Sequence, residues 1–208
     1  LRKVQKGKLF LGNKEITNLS PRDIRNSGLS YVPEERMRDG AIGDFSVKEN
    51  CVLIDHKSDD FSKFGFLKAT KVSKHAEDII EKFNVKTPSI ETSTKSLSGG
   101  NIQKLIMARE LSSSPKVLLA AQPTRGVDIG AAEYIHQRLI EQRDRGTAII
   151  LISEDLDEIL ALSDRVVVMF EGEIVADLDS AECSVSELGL LMGGVKQSGI
   201  IIDSKRTQ

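Results

Sequence analysis

The chain has 208 residues, of which 39% are hydrophobic and 29% charged, enough for one α/β domain with its own core. A formal net charge of −2 gives no general reason to expect a nucleic-acid binder, and no apolar run is long enough to cross a bilayer. The two cysteines, Cys51 and Cys183, have no metal-ligand spacing and read as reduced thiols, not as a disulfide framework.

Residues 8–16 read as a hairpin, with Leu9-Phe10 and Glu15-Ile16 flanking the Gly12-Asn13 turn. Ser20 followed by Pro21 is an N-cap with proline at the first helical position, so a short helix should run to about Asn26, where Gly28 stops it. Leu29 to Val32 is a strand ended by Pro33, and Glu34 to Asp44 a polar loop. A helix is expected over 47–54, then a loop to Lys68 carrying Phe61, Phe64 and Phe66. Val72, Ala76, Ile79, Ile80 and Phe83 fall at helical spacing. After a polar linker comes Ser98-Gly99-Gly100, a tight corner that opens into an amphipathic helix. Such a corner points backbone N–H groups and a hydroxyl at whatever stands before it, which suits a phosphate. Val117–Ala121 and Ala148–Ile152 read as strands buried on both faces, separated by a helix through Ile135 and Leu139 that Gly146 closes. A short helix from Leu156, a hairpin turning at Glu171-Gly172 and a helix from Ser184 to Met192 complete the pattern, with a loosely held tail after it. Buried strands alternating with helices argue for a parallel α/β sheet. The chain opens at Leu1 with no initiator methionine, and a longer parent polypeptide is expected.

Several segments now stand in a familiar order: Tyr31-Val32-Pro33-Glu34, Leu97-Ser98-Gly99-Gly100, Lys116 to Thr124, Arg125-Gly126-Val127-Asp128 and Ile152-Ser153-Glu154-Asp155. Each alone is weak. Together and in this spacing they resemble the Q-loop, signature, Walker B strand, D-loop and switch of the ATP-binding-cassette (ABC) ATPases, over nearly the whole chain. Ala121-Gln122-Pro123-Thr124-Arg125-Gly126 and Ile152-Ser153-Glu154-Asp155-Leu156 narrow the likeness to the C-terminal half of tandem ATPase subunits of bacterial simple-sugar and nucleoside importers.

The resemblance implies a P-loop NTPase-type parallel sheet, with a small antiparallel β part and a helical subdomain, incomplete at its N-terminus. It divides the chain into a β part with the Q-loop position (1–44), a helical subdomain (45–95), the ATPase core (96–192) and a tail (193–208). It also implies ATP and Mg²⁺ as cofactors of the full-length subunit, with none expected on this chain alone. The departures are specific. No G-x-x-x-x-G-K-[ST] occurs in the 208 residues, and the resemblance implies that this phosphate loop lies upstream of Leu1. Ala121 stands at the Walker B aspartate, Gln122 at the catalytic glutamate, Glu154 at the switch histidine and Glu34 at the Q-loop glutamine. An amide orients water but cannot accept its proton, so Gln122 is a degenerate catalytic position. The corner is intact. In the family, Ser98 and the N–H groups of Gly99, Gly100 and Asn101 would contact the γ-phosphate held by a facing domain.

The expected role is therefore asymmetric. This half donates its signature to a competent site and is inactive alone, while the full-length subunit is a transport-coupled ATP hydrolase. The implied partners are the N-terminal ABC domain of the same subunit or a second copy, and membrane permease subunits reached through the helical subdomain. No nucleic acid is expected, and the place is the cytoplasmic face of the cell membrane. An alternative is a natural non-catalytic regulatory domain on the same fold. A DNA- or ribosome-directed ABC ATPase is disfavoured by the absence of coiled-coil or basic insertions. Plainer roles stand beside these. Asp128 can simply cap the helix after it, Glu154 reads equally as a solvated cap residue, and Glu34 reads as a residue of a mobile loop. The three phenylalanines suit local packing, though their place matches the helical subdomain that meets the membrane subunit in the family, and His56, His75 and His136 read as surface or packing residues without function. In the family the strand that leads into the phosphate loop lies between those near Val166–Phe170 and Ala148–Ile152, so without it the sheet should have a gap there, closed by rearrangement, strand exchange or self-association.

Overall fold

The computed structural model describes residues 2–195. They fall in two compact units, Leu1–Ile150 and Leu151–Gln208. The tail expected over 193–208 lies outside the described residues from position 196 onward.

The first unit opens with the hairpin β1 (Phe10–Leu11) and β2 (Lys14–Glu15). Helix α1 (Pro21–Asn26) starts where Ser20 Oγ accepts from the Asp23 amide, and Gly28, at φ +103°, turns the chain into β3 (Leu29–Val32). The stretch read as an irregular polar loop contains one π-helical turn, Arg36–Gly40, closed by the Ala41 amide on the Arg36 carbonyl at 2.8 Å. Wide turns of this kind concentrate at functional sites. Gly40 is required there: a Cβ would come within 2.6 Å of the Ile106 Cδ1 atom.

Helix α2 (Val47–Cys51) carries a full capping box between Ser46 and Glu49 but stops short of the expected Ile54. The following loop holds a small hairpin, β4 (Ser62–Lys63) and β5 (Phe66–Leu67), before α3 (Ala69–Lys82) buries Val72, Ala76 and Ile79. Asn50, wholly buried, ties α2 to its surroundings. Its amide donates to the Ile42 carbonyl and to Thr94 Oγ1, each at 2.9 Å, and its oxygen accepts from the Ile42 amide.

Helix α4 (Gly99–Ser112) runs beneath the sheet. Strand β6 (Val117–Ala121) pairs in parallel with β3, and α5 (Ile129–Asp144) leads to β7 (Ala148–Ile152) in the order β3-β6-β7. Leu118, Ala120 and Ala121 of β6 are buried as the apolar run predicts. Strand β7 is not. Ala148, Ile150 and Ile152, which share one face, are exposed, and among the described residues β7 ends the sheet order.

The second unit contains α6 (Leu156–Leu162), the hairpin β8 (Arg165–Phe170) and β9 (Glu173–Asp179), and α7 (Val185–Met192). Val166, Val168 and Ala176 on one hairpin face pack with Leu188 and Leu191 of α7. Cys51 and Cys183 are both free thiols, and burial pushes the Cys51 thiol up to about 12.

Candidate functional site

The ends of β3 and β6 and the start of α4 meet in the first unit. Ser98 caps α4, its Oγ accepting from the Asn101 backbone N–H at 3.4 Å and from Asn101 Nδ2 at 2.8 Å. The amides of Gly99 and Gly100 find no acceptor among the described residues, so two backbone donors stand open at a helix N-terminus. The helix dipole adds to their pull on an anion by about 0.3–1 kcal/mol. Gly100 is buried, and a Cβ there would lie 3.0 Å from the Ala131 Cβ and 3.3 Å from Asp128 Oδ2. Helices α4 and α5 thus approach at a glycine.

Two arginines hold the corner, Arg36, which pattern reading passes over, and Arg125 of the D-loop-like segment. Arg36, from the π-helical turn, donates Nη1 to the Gly99 carbonyl at 3.1 Å and Nη2 to the Arg125 carbonyl. The first bond polarises the Gly99–Gly100 peptide and so strengthens the Gly100 N–H as a donor. Arg125 in turn pairs with Glu34. Glu34, read as a mobile-loop residue, is therefore an exposed partner of an ion pair spanning the tips of β3 and β6. No local pattern announces these contacts, since the partners lie 63 to 91 positions apart.

Ala121 ends β6 with a buried methyl group. Gln122 follows in the left-handed region at φ +49°, a conformation that costs a non-glycine residue about 1–3 kcal/mol and collects at functional turns. Asp128 caps α5, Oδ1 accepting from the Ala131 amide at 2.9 Å, while its second oxygen borders Gly100. Glu154 belongs to the second unit, where it stands exposed in the bend before Asp155, the N-cap of α6. The site's contents are clear. It offers donors at 98–100 and no carboxylate at 121 or 122.

The sequence profile of the ABC transporter family matches residues 1–125, more than half of the chain. The chain belongs to the ABC transporter family. It is 45% identical over 95% of its length to the guanosine import ATP-binding protein NupO of Bacillus subtilis (strain 168), covering 39% of that protein. It is 45% identical over 93% to the nucleoside import ATP-binding protein NupA of Lactococcus lactis, covering 38% of it. It is 44% identical over 93% to the glucose import ATP-binding protein TsgD13 of Haloferax volcanii, covering 36% of it. The chain thus spans less than two fifths of the length of these relatives. The dimeric structure of the bacterial ABC transporter cassette MJ0796 superposes with a TM-score of 0.70 at 20% identity, over 86% of this chain and 75% of that one. The ADP form of the cassette MJ1267 gives 0.65 at 22% identity, over 92% and 75%. The fold is the α/β, P-loop NTPase type of ABC cassettes.

An ABC fold implies a nucleotide and Mg²⁺. The open amides of Gly99 and Gly100 and the Ser98 hydroxyl fit phosphate oxygens. At the end of β6 the Ala121 side chain offers a magnesium ion no carboxylate. No helix among the described residues is long and apolar enough to cross a membrane.

Proposed function

We propose that this chain is most of the second nucleotide-binding domain of a tandem ATP-binding subunit, one that energises a bacterial ABC importer of simple sugars or nucleosides. Two observations in the first unit carry the reading: backbone donors without an acceptor at the start of α4, and Ala121 and Gln122 at the end of β6, where a hydrolytic site needs carboxylates. The names of the relatives, which import guanosine, nucleosides or glucose, support the substrate class.

In this reading, 1–44 is the β part, 45–95 the helical subdomain and 96–192 the core. Ser98 and the amides of Gly99 and Gly100 serve ATP held by a partner, either the N-terminal domain of the same subunit or a second copy; the Asn101 amide, expected as a further donor, is taken by Ser98 Oγ. Asp128 lies in the D-loop. Gln122, at the catalytic position, holds water without taking its proton. Glu34 and Glu154 occupy the Q-loop and switch positions as further departures. ATP supplies the phosphates that the corner grips, and Mg²⁺ belongs with the partner's phosphate loop.

The chain works at the cytoplasmic face of the membrane, where the helical subdomain meets the permease. Two features suit that contact. Phe64 is 90% and Phe66 79% exposed at the tip of β4–β5. A polar cleft of about 400 Å³ is lined by Arg22, Arg25, Ile54, Lys57, Ser58 and Ser113 among others.

Calorimetric titration of the isolated chain with ATP is expected to show no tight binding. Micromolar affinity would overturn the proposal. The same chain, joined to a cassette with an intact phosphate loop, is expected to support hydrolysis there.

A further inference from the structure

We propose that Asn101 is a positioning residue that fixes the direction of the Ser98 hydroxyl proton. The inference rests on the reading of 98–100 as a phosphate-facing corner. Its warrant is a chain of hydrogen bonds in which each partner can play only one part. The Lys86 backbone N–H can only donate, and it bonds Asn101 Oδ1 at 2.8 Å. That fixes the orientation of the Asn101 amide, so the group facing Ser98 Oγ at 2.8 Å is the NH₂. The NH₂ can only donate as well, so the serine oxygen accepts. The Asn101 backbone N–H donates to the same oxygen at 3.4 Å. A serine hydroxyl has two lone pairs and one proton. With both lone pairs engaged, only the proton is left, and it points away from the helix into the exposed corner.

The corner is therefore a set of donors alone: the Ser98 O–H and the Gly99 and Gly100 N–H groups. Its matching ligand is an acceptor on every face, such as the ionised terminal phosphate of a nucleoside triphosphate. A hydroxyl, an ammonium or a protonated phosphate ester would bring a donor to a place that offers only donors. The polarity is set from outside the corner, by the segment that follows α3. There Asn84 turns left-handed at φ +48° and the Val85 amide bonds the Ile80 carbonyl at 3.0 Å.

Aspartate at 101 reverses the polarity without disturbing the frame. One carboxylate oxygen still accepts from Lys86, while the other takes the Ser98 proton and turns the hydroxyl away from phosphate. An acid in the first helical turn favours the helix, so this variant keeps its thermal stability.

The test is a double-mutant cycle in the complete ATP-binding subunit, reading kcat and KM for ATP at the competent site together with Tm. Ser98→Ala is expected to lower kcat by about 10- to 100-fold, the range of a lost hydrogen bond to a charged group. Asn101→Asp is expected to lower it about tenfold or more with Tm unchanged, and by less than about threefold once Ser98 is already alanine. Asn101→Ala frees the hydroxyl without reversing it and should cost less than aspartate. Additive losses in the cycle, equal losses in the two Asn101 variants, or an active Asn101→Asp protein overturn the proposal. An unaffected Ser98→Ala protein instead overturns the reading of the corner, and the proposal with it.

Discussion

Glu110 shows what a single residue does for the site. Its side chain has no exposed surface, yet its carboxylate takes both arms of Arg25, at 2.7 and 3.3 Å, and the Tyr31 amide at 3.1 Å. It also accepts from Arg109 at 3.2 Å. Burial lowers the Arg109 guanidinium below its ordinary value, and the neighbouring Glu110 charge opposes that fall. Arg109 reaches on to the Gly40 carbonyl at 2.7 Å, the end of the π-helical turn that presents Arg36. One acid thus fixes α1, β3, α4 and the turn. Removing it leaves two arginines without their carboxylate, one of them buried. Glu110→Ala is expected to cost about 3–5 kcal/mol in urea unfolding, in the range for breaking one side of a buried ion pair. A loss below 1 kcal/mol would show that water replaces the carboxylate. The periodicity of α4 makes 110 legible as helical but says nothing of its charge partners. Arg25 is 85 positions away, and only the fold brings it near.

At the scale of elements, what could be read early was local. Ser20-Pro21 and Ser184 each mark a helix start through contacts within three residues, and each start lies where the pattern puts it. The Ser98-Gly99-Gly100 corner was legible for the same reason. The π-helical turn and the β4–β5 hairpin were not, because their apolar residues do not alternate. Phe61 packs on His75 with ring centroids 4.8 Å apart, while Phe64 and Phe66 project into solvent. The three phenylalanines therefore divide into one packing residue and two surface residues. Replacing Phe64 and Phe66 together by serine is expected to change folding stability by less than about 0.5 kcal/mol, as for other surface sites. Phe61→Ala should cost at least about 1 kcal/mol through its lost ring contact. Co-purification with the permease would be weakened by the first pair and kept by the second if the hairpin docks there. Unchanged co-purification of the serine pair would remove the hairpin from that interface.

Over the whole molecule, the strand that pattern reading placed correctly but expected to be buried is the one whose surroundings decide its burial. Strand β7 has the Ala-Ile-Ile-Leu-Ile composition of a strand covered on both sides. A five-residue apolar run has no means of recording what covers its faces or flanks its edge. In the structure, Ile150 is 55% and Ile152 50% exposed, beside an edge with no strand partner among the described residues. An exposed apolar edge without charge, proline or a bulge is a template for another chain. The occupant expected for the isolated chain is a second copy, since the same sequence carries the same unpaired edge. Within the proposed full subunit, the strand leading into the phosphate loop would take that place and remove the tendency. Sedimentation of the isolated chain is therefore expected to show species above the monomer mass that grow with concentration. Ile150→Lys places a charge on that face at a position already more than half exposed, so it should shift the distribution to monomer at little cost in stability. A wild-type chain that stays monomeric at every concentration tested, or an Ile150→Lys chain that associates equally well, would show that this edge is protected by means other than pairing.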